Sequence, residues 1–202
     1  MTTIAASKPS QPITEPRRYS LAEYLLKEER SAQKHEFHNG QIIRMPGSKL
    51  KHNEISGNII GALKNSVRLL KNKYRVITSD QKIYIPEVDK ALYADALVIC
   101  QEPEYWQKRE DLLLNPIVIV EVASKSTRNY DRGEKFMSYR LIPSFQEYIL
   151  IEQDKPLVES WYRSKPNTWE VTVETDTKNS VFLRSIGATV SLEDIYENIV
   201  FV

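Results

Sequence analysis

The chain has little of what a disulfide-stabilised, membrane-spanning or exported protein needs. It contains a single cysteine, Cys100, which excludes an intrachain disulfide and fits a reducing compartment. The position of Cys100 at the end of an apolar segment predicts a small buried side chain. No segment approaches the roughly 18 apolar residues of a membrane-spanning helix, and residues 1–8 lack the basic and apolar stretches of a secretory signal. We therefore expect a cytoplasmic protein that has no membrane partner.

The sequence also lacks several motifs of nucleotide-using and hydrolytic enzymes. It has no glycine-rich phosphate loop, no dinucleotide-binding fingerprint and no nucleophile elbow, which disfavours a nucleotide-dependent enzyme or a serine hydrolase. The formal net charge of +1 is too small to indicate a strong nucleic-acid binder, so any nucleic-acid contact must depend on local basic patches. One such patch is the set Lys64, Arg68, Lys71, Lys73 and Arg75, for which a solvated charged face is the alternative interpretation.

The order of predicted elements indicates the fold class. Residues 1–16 are rich in Ser, Thr and Pro, which predicts a flexible tail before a single domain over residues 17–202. Ser20 and Glu23 have the spacing of a capping box, so a helix should start there and end near Arg30. The further predicted elements are a hairpin of residues 34–37 and 41–45 around Asn39–Gly40, a helix over 51–73, strands over 75–85, 93–100 and 117–124, a helix over 131–141 capped by Asp131, a strand over 146–151, a hairpin of 157–163 and 169–175, a strand over 181–184, and a short helix over 192–197. This order predicts an α/β or α+β fold, with a mixed β-sheet flanked by helices, an N-terminal hairpin and a C-terminal β-hairpin elaboration.

Two acidic residues interrupt strongly apolar predicted strands. Asp95 lies within Tyr93–Cys100, and Glu121 lies within Ile117–Ser124. Burying an ionised carboxylate costs several kcal/mol unless the group is paired or binds a metal. Two such acids on successive strands predict a shared site for a hard cation, Mg²⁺ or Mn²⁺, and hence phosphodiester chemistry. Two separate structural ion pairs with Lys or Arg are the alternative.

Several segments together carry a resemblance to a known group of proteins. They are His35–Gly40, Lys51–Glu54, Tyr93–Val98, Val118–Ser124, Thr127–Lys135, Tyr139 and Glu147–Tyr148. In these segments and in its order of elements the chain resembles the PD-(D/E)XK nuclease superfamily, and within it a bacterial family of restriction-endonuclease-like proteins. The resemblance covers roughly residues 20–200. It implies a restriction-endonuclease-like fold, Mg²⁺-dependent hydrolysis of DNA with RNA as a further possible substrate, metal ligation by Asp95 and Glu121, and a homodimer.

The chain departs from the superfamily pattern at one position that matters for catalysis. The superfamily has a lysine two residues after the glutamate, and here that position is Ala123. Lys135 on the following helix is the first candidate to replace it, Lys82 on the preceding strand is the second, and Lys125 continues the face of Glu121. A solvated surface lysine is the alternative for each. The departure therefore leaves a second hypothesis open, a protein with the nuclease fold that binds nucleic acid or a protein partner without cutting.

Two further residues could belong to the same site. Glu36 in the first hairpin could supply a third carboxylate, although a structural ion pair or a backbone cap fits it equally well. His52 at the start of the long helix could contact the metal, a water or a phosphate, and a helix cap is the alternative. Trp161, Tyr162 and Trp169 in the late hairpin could stack on bases, but their alternation fits core packing at least as well.

Overall fold

A computed structural model describes residues 17–71 and 73–201, so the tail predicted for residues 1–16 lies outside the described part of the chain. The helices are α1 (Leu21–Arg30), α2 (Leu50–Arg68), α3 (Arg128–Tyr130), α4 (Phe136–Tyr139) and α5 (Leu192–Ile195). The strands are β1 (His35–His38), β2 (Gln41–Arg44), β3 (Tyr74–Thr78), β4 (Lys82–Ile85), β5 (Lys90–Tyr93), β6 (Ala96–Cys100), β7 (Leu112–Leu113), β8 (Pro116–Ala123), β9 (Glu147–Glu152), β10 (Val158–Lys165), β11 (Thr168–Glu174), β12 (Ser180–Leu183) and β13 (Ala188–Ser191). Within the described ranges no helix is long and apolar enough to cross a membrane.

Local signals at the N-terminal end of the domain are confirmed. The Ser20 hydroxyl accepts a hydrogen bond from the backbone N–H of Glu23, and the Glu23 carboxylate accepts one from the backbone N–H of Ser20, so the capping box starts α1 as predicted. Asn39 and Gly40 have φ values of 45° and 89°, which is the left-handed backbone that a two-residue turn between β1 and β2 requires. This hairpin holds Glu36 in the middle of β1.

The strands form two large mixed sheets and one small one. The six-stranded sheet has the order β11-β10-β9-β8-β6-β3, the five-stranded sheet has the order β2-β1-β5-β4-β7, and β12 pairs with β13 alone. In the large sheets the pairs β8–β9 and β4–β7 are parallel, and the other pairs are antiparallel. The predicted class, mixed β structure flanked by helices, is confirmed, although the strands are divided between separate sheets.

Side-chain alternation along β8 gives the six-stranded sheet two apolar faces. Three valines of β8 belong to the core cluster that contains the buried residues of α2. Ile119 and Ala123 point to the opposite face and belong to the cluster that contains Phe136 and Tyr139 of α4. Glu121 shares this second face because it lies between those two residues at a spacing of two. The sheet is therefore covered by α2 on one face and by α4 on the other, with Glu121 on the α4 side.

Two predicted strands are broken by turns where the chain changes sheet. The predicted strand over 75–85 is two strands, β3 in the six-stranded sheet and β4 in the five-stranded sheet, separated by the polar residues Ser79 and Asp80. The predicted strand over 93–100 is likewise β5 and β6, with Asp95 at the break rather than inside a strand. The Asp95 carboxylate accepts a hydrogen bond from the backbone N–H of Val122 at 2.7 Å, which keeps the chain close to β8 across the break.

The predicted cap of the second core helix is wrong. Helical backbone starts at Arg128 and continues through α3, a π turn over Asp131–Lys135 and α4. Asp131 lies inside this helical segment 128–139, and its backbone N–H donates to the carbonyl of Thr127 at 2.9 Å. The helix thus begins one turn earlier than the Asp131 signal indicated. Cys100 also differs from the prediction, because its side chain is only partly buried.

A fully buried carboxylate connects the C-terminal hairpin to the six-stranded sheet. Glu147, at the start of β9, has no exposed surface. Its oxygens accept hydrogen bonds from the hydroxyls of Ser160 and Ser185 at 2.9 and 2.7 Å, and from the backbone N–H groups of Arg184 and Ser185 at 3.2 and 3.0 Å. Four neutral donors therefore offset the burial of this carboxylate. The turn that it holds belongs to the β12–β13 hairpin, whose apolar residues share a core cluster with α2.

We expect Glu147→Gln to lower the free energy of unfolding by about 1 to 3 kcal/mol. The amide nitrogen that replaces one oxygen cannot accept from the donors around it, so at least one buried donor loses its partner. Urea denaturation at neutral pH measures this change. Glu170→Gln, on the exposed ion pair with Arg184, is the control and should change stability far less. Equal effects of the two substitutions would contradict the interpretation of Glu147 as a connecting residue.

Candidate active site

A cleft of about 1330 Å³ opens beside the N-terminal end of α2, between the β1–β2 hairpin, the end of β8 and the helical segment 128–139. Its lining includes six of the seven candidates from the sequence, all but Lys82: Glu36, His52, Asp95, Glu121, Lys125 and Lys135. These residues come from β1, α2, the β5–β6 break, β8 and the π turn, which are far apart in the sequence. The fold therefore brings the predicted carboxylates and two of the three candidate lysines into one cleft, with Lys125 at its edge.

The centre of the cleft is a buried contact between an ammonium group and a carboxylate. Lys135 Nζ lies 2.8 Å from Glu121 Oε1 and 3.7 Å from Glu36 Oε1. The hydroxyl of Tyr139 donates a second hydrogen bond to Glu121 Oε1 at 2.9 Å. Ala123, where the superfamily pattern has lysine, is fully buried in the core. The ammonium group beside Glu121 thus comes from the helical segment instead of from the strand.

A π turn carries the inward-facing charged residues of the helical segment. Asp131 and Lys135 mark its two ends, and both side chains are buried and line the cleft. Single π turns within α-helices occur frequently at functional sites. The hydroxyl of Tyr148 donates to the backbone carbonyl of Asp131 at 3.0 Å, which ties this turn to β9. The π turn is therefore fixed to the same sheet that carries Glu121.

Asp95 lies at the more open side of the cleft, next to His52. His52 Nε2 is 3.4 Å from Asp95 Oδ2, and the same oxygen accepts the backbone N–H of Val122. Burial alone would lower the pKa of His52, but the hydrogen bond to Asp95 and the charge of Asp95 outweigh it and raise that pKa. In this geometry His52 is a direct partner of Asp95, one of the two carboxylates predicted to hold a metal.

Several carboxyl groups surround the buried ammonium group of Lys135. Burial raises the pKa of Glu121 well above its usual value, and although Lys135 opposes this shift, the nearby charges of Asp95 and Asp131 add to it. Burial likewise raises the pKa of Asp131 against the opposing charge of Lys135. Burial opposes a raised pKa for Lys135, but its carboxylate neighbours prevail and the pKa is raised. The centre of the cleft therefore holds more carboxyl groups than cations, and a bound cation would favour their ionised forms.

Glu36 is the exception among these acids, because three groups stabilise its ionised form. Burial would raise its pKa, but the charge of Lys135 and hydrogen bonds from His38 and Tyr130 lower the pKa to about 2. The Tyr130 hydroxyl donates to Glu36 Oε2 at 2.7 Å, and His38 Nε2 lies 3.1 Å from the same oxygen. The backbone N–H of Tyr93 donates to Glu36 Oε1 at 3.3 Å. Glu36 is therefore ionised at neutral pH and helps to hold Lys135 in place.

The donor set fits a magnesium-type ion that needs further oxygen ligands. Asp95 and Glu121 offer carboxylate oxygens, which are the protein ligands that Mg²⁺ prefers. Among the described residues, no group of three or more His, Cys, Asp or Glu side chains is arranged to hold a metal ion. Mg²⁺ is commonly held by one or two carboxylates together with waters and substrate phosphates. The pair fits such an ion and does not fit a structural metal enclosed by protein ligands.

The other candidates from the sequence lie outside the centre of the cleft. Lys82 Nζ is 3.6 Å from Asp111 Oδ2 and lies over the ring of Tyr93, so the predicted approach of Lys82 to the cleft is not found. Its strand, β4, belongs to the five-stranded sheet, which directs this side chain elsewhere. Lys125 lies at the mouth of the cleft and is exposed. Trp161 and Trp169 pack edge-to-face on Phe136, with ring centroids 4.6 and 4.9 Å away, as in the core-packing alternative.

Three residues beside the candidate site have no site role in the sequence analysis. They are His38 and Tyr130, which line the cleft, and Tyr139, which is buried behind it. Each contacts Glu36 or Glu121 through the hydrogen bonds given above. Strand alternation could have identified His38, since residues two apart on a strand share a face. The two tyrosines lie on a helical segment whose π turn leaves no local pattern in the sequence. Their orientation therefore became visible only in the structure.

Comparisons with known proteins agree with the family resemblance and with the fold. The model of the Uma2 family, described as "Putative restriction endonuclease", matches residues 21–192. "Uncharacterized protein sll1609" of Synechocystis sp. is 34% identical over 151 residues, which cover 75% of this chain and 84% of that protein. "Uncharacterized protein slr1290" of the same organism is 30% identical over 196 residues, covering 97% of this chain and 99% of that protein.

Among solved structures, a "putative nuclease belonging to DUF820" from Anabaena variabilis is similar with a TM-score of 0.70. The match covers 90% of this chain and 99% of that chain at 17% sequence identity. At this identity the likeness concerns the fold. The resemblance to restriction-endonuclease-like proteins that the sequence indicated is thus confirmed for the family and for the fold.

We expect Glu36 to stabilise the protein in a pH-dependent manner. A pKa lowered from 4.5 to about 2 corresponds to about 3 kcal/mol of stability. Because the folded-state pKa is the lower one, this contribution is complete above about pH 5 and is lost as the pH falls toward 2. In urea denaturation, the difference in stability between the native chain and Glu36→Gln should fall to less than half between about pH 6 and pH 3. A difference that stays constant over this range would contradict the assignment.

Proposed function

The chain belongs to the Uma2 family, whose description is "Putative restriction endonuclease", and from this we propose that it is a metal-dependent nuclease that hydrolyses DNA phosphodiester bonds in the cleft. One observation carries the proposal: the ammonium group of Lys135 lies 2.8 Å from Glu121. Ala123 leaves the strand without the lysine of the superfamily pattern, and Lys135 supplies a positive charge at the same carboxylate from another element. The set of two acids and one lysine is thus available in one cleft.

Each residue of the centre has a defined task in the proposed reaction. Asp95 and Glu121 would hold Mg²⁺ or Mn²⁺, which when bound polarises the phosphate and lowers the pKa of a coordinated water. Lys135 keeps its charge at neutral pH because its pKa is raised. Its N–H groups can orient the attacking water and stabilise the negative charge that develops on the phosphate oxygens. Glu36 and Tyr139 fix the positions of Lys135 and Glu121.

The competing hypothesis is a nuclease fold that binds its partner without cutting it. Its main support was the missing lysine at Ala123. A lysine nitrogen within hydrogen-bond distance of Glu121 removes that support, so the geometry favours hydrolysis. Cutting both strands of a duplex would require two such clefts, and we therefore propose a homodimer as the working form. RNA is a further candidate substrate that the cleft does not distinguish from DNA.

Cation binding is the first test of the proposal. Calorimetric titration of the native chain with Mg²⁺ or Mn²⁺, alone and with a short DNA duplex, should give a binding signal. Asp95→Asn and Glu121→Gln should each abolish it, since each removes one of two carboxylate ligands. Asp111→Asn, which changes a carboxylate outside the cleft lining, should bind as the native chain does. A folded native chain that binds neither cation even with DNA would contradict the proposal.

The role of Lys135 can be tested against the rival lysine of the sequence prediction. Lys135→Gln should lower the rate of DNA cleavage by about 100-fold or more, the loss typical for a single charge-stabilising donor. The loss should appear in kcat, while the affinity for DNA stays within a few-fold of native. Lys82→Gln removes the same charge outside the cleft and should retain native activity. Near-ultraviolet circular dichroism checks that the Lys135 variant is folded, and the reverse order of activities would contradict the assignment.

A further inference from the structure

A second depression of about 430 Å³ adjoins the cleft at the N-terminal end of α2. Its lining consists of Lys51, Lys125, Arg128, Asp154 and Lys155. Lys125 and Asp154 also line the cleft, so the two depressions are continuous. Four of the five lining side chains are cations, in a chain whose net charge is only +1. We call Lys49, Lys51, Lys125 and Lys155 the basic lip, since Lys49 lines the adjacent edge of the cleft.

The charge of the basic lip is largely uncompensated by the protein. Lys49, Lys125 and Lys155 are exposed, and within residues 17–71 and 73–201 none of them has a carboxylate within ion-pair distance. Lys51 donates to the backbone carbonyl of Val200 at 2.9 Å, a contact that leaves its positive charge in place. Arg128, by contrast, forms a bidentate ion pair with Glu152. The lysines are therefore the groups available for an anion.

Charges of opposite sign meet at this end of α2. The acidic centre formed by Asp95 and Glu121 can hold a phosphate only with a cation between them, whereas the basic lip attracts phosphates directly. The exposed or partly exposed hydroxyls of Ser124, Ser126 and Thr127 lie in the loop between the two regions. A ligand that suits both regions carries one phosphate at the centre and further phosphates beyond it. A polynucleotide has this repeating charge, and a small phosphodiester does not.

We infer that the basic lip binds the phosphates that flank the scissile one along a DNA strand, a role that rests on the nuclease function proposed above. Lysines are flexible point charges, which suits sequence-independent contacts with a phosphate backbone. The basic lip thus fixes the direction in which the strand leaves the cleft, past the N-terminal end of α2 and the loop that follows β9. It makes a polynucleotide the substrate class and gives the protein a DNA affinity that does not depend on base sequence.

The basic patch that the sequence indicated lies at the other end of the same helix. Lys71 and Lys73 follow the C-terminal end of α2, a helix of 19 residues that spans about 28 Å. Neither residue lines the cleft or the depression beside it. Both are exposed lysines, so they provide a matched control for two lysines of the basic lip.

The test measures the salt dependence of DNA binding in the presence of a chelator, which separates binding from cleavage. Fluorescence anisotropy with a labelled DNA duplex gives the association constant at salt concentrations from about 50 to about 200 mM. The quantity compared is the slope of the logarithm of this constant against the logarithm of the salt concentration. The double substitution Lys125→Gln with Lys155→Gln should reduce the magnitude of the slope by about 2, and should weaken binding at least about 10-fold at the lowest salt. Lys71→Gln with Lys73→Gln should leave both quantities as in the native chain.

The outcomes separate this inference from the proposed function. Equal slopes for the native chain and the basic-lip variant overturn the inference. An equal loss of DNA affinity in the control variant also overturns it, and so does the absence of DNA binding by the native chain. Hydrolysis of a small chromogenic phosphodiester with Mg²⁺ is the second measurement, and the basic-lip variant should keep the native rate. Loss of that rate would mean that the lysines act through the centre or the fold, and would also overturn the inference. If the native chain hydrolyses neither DNA nor the chromogenic phosphodiester but the salt slope changes as expected, the nuclease proposal is wrong and the phosphate-binding role of the basic lip is supported.

Discussion

The arrangement of the cleft depends on one buried positive charge. Lys135 lies between Glu121 of the six-stranded sheet and Glu36 of the five-stranded sheet, and it reaches both from a helical segment. Removing one partner of a buried ion pair typically costs about 3 to 5 kcal/mol, because the remaining charge is left without compensation. Here one ammonium group has two buried carboxylate partners, with Asp131 and Asp95 also in its field. A single side chain therefore connects the helical segment to β8 and to β1.

The same charge arrangement explains why a cation belongs to the proposed reaction. One ammonium group cannot neutralise the carboxylates around it, and the raised pKa of Glu121 reflects the remaining repulsion together with burial. A divalent ion would relieve that repulsion and bring a phosphate oxygen to the same place. Placing the lysine on the helical segment has a further effect, because it leaves Ala123 free to fill the core. Packing and charge are thus supplied by different elements of the fold.

Comparison of the sequence with the structure shows which features are encoded locally. The capping box at Ser20, the turn at Asn39–Gly40 and the apolar segment around Glu121 each depend on neighbouring residues, and each was predicted correctly. The breaks between β3 and β4 and between β5 and β6 were missed, since a change of sheet is decided by distant strands. The short β13 strand was missed for a related reason, because its register is set by pairing with β12.

The candidate site also has one part that local sequence predicts and another that depends on distant residues. Apolar flanks were sufficient to identify Glu121 as a buried acid, whereas Asp95, at the break between two strands, is only partly buried. The sequence analysis placed Lys135 before Lys82, but whether either lysine reaches Glu121 depends on which sheet carries β4 and on the π turn in the helical segment. The break at Asp95 has a consequence for the shape of the site. Glu36 and Glu121 belong to different sheets, and at Asp95 the chain passes from one sheet to the other. The three carboxylates therefore come from both sides of the junction between the sheets, and the cleft could not be assembled from either sheet alone.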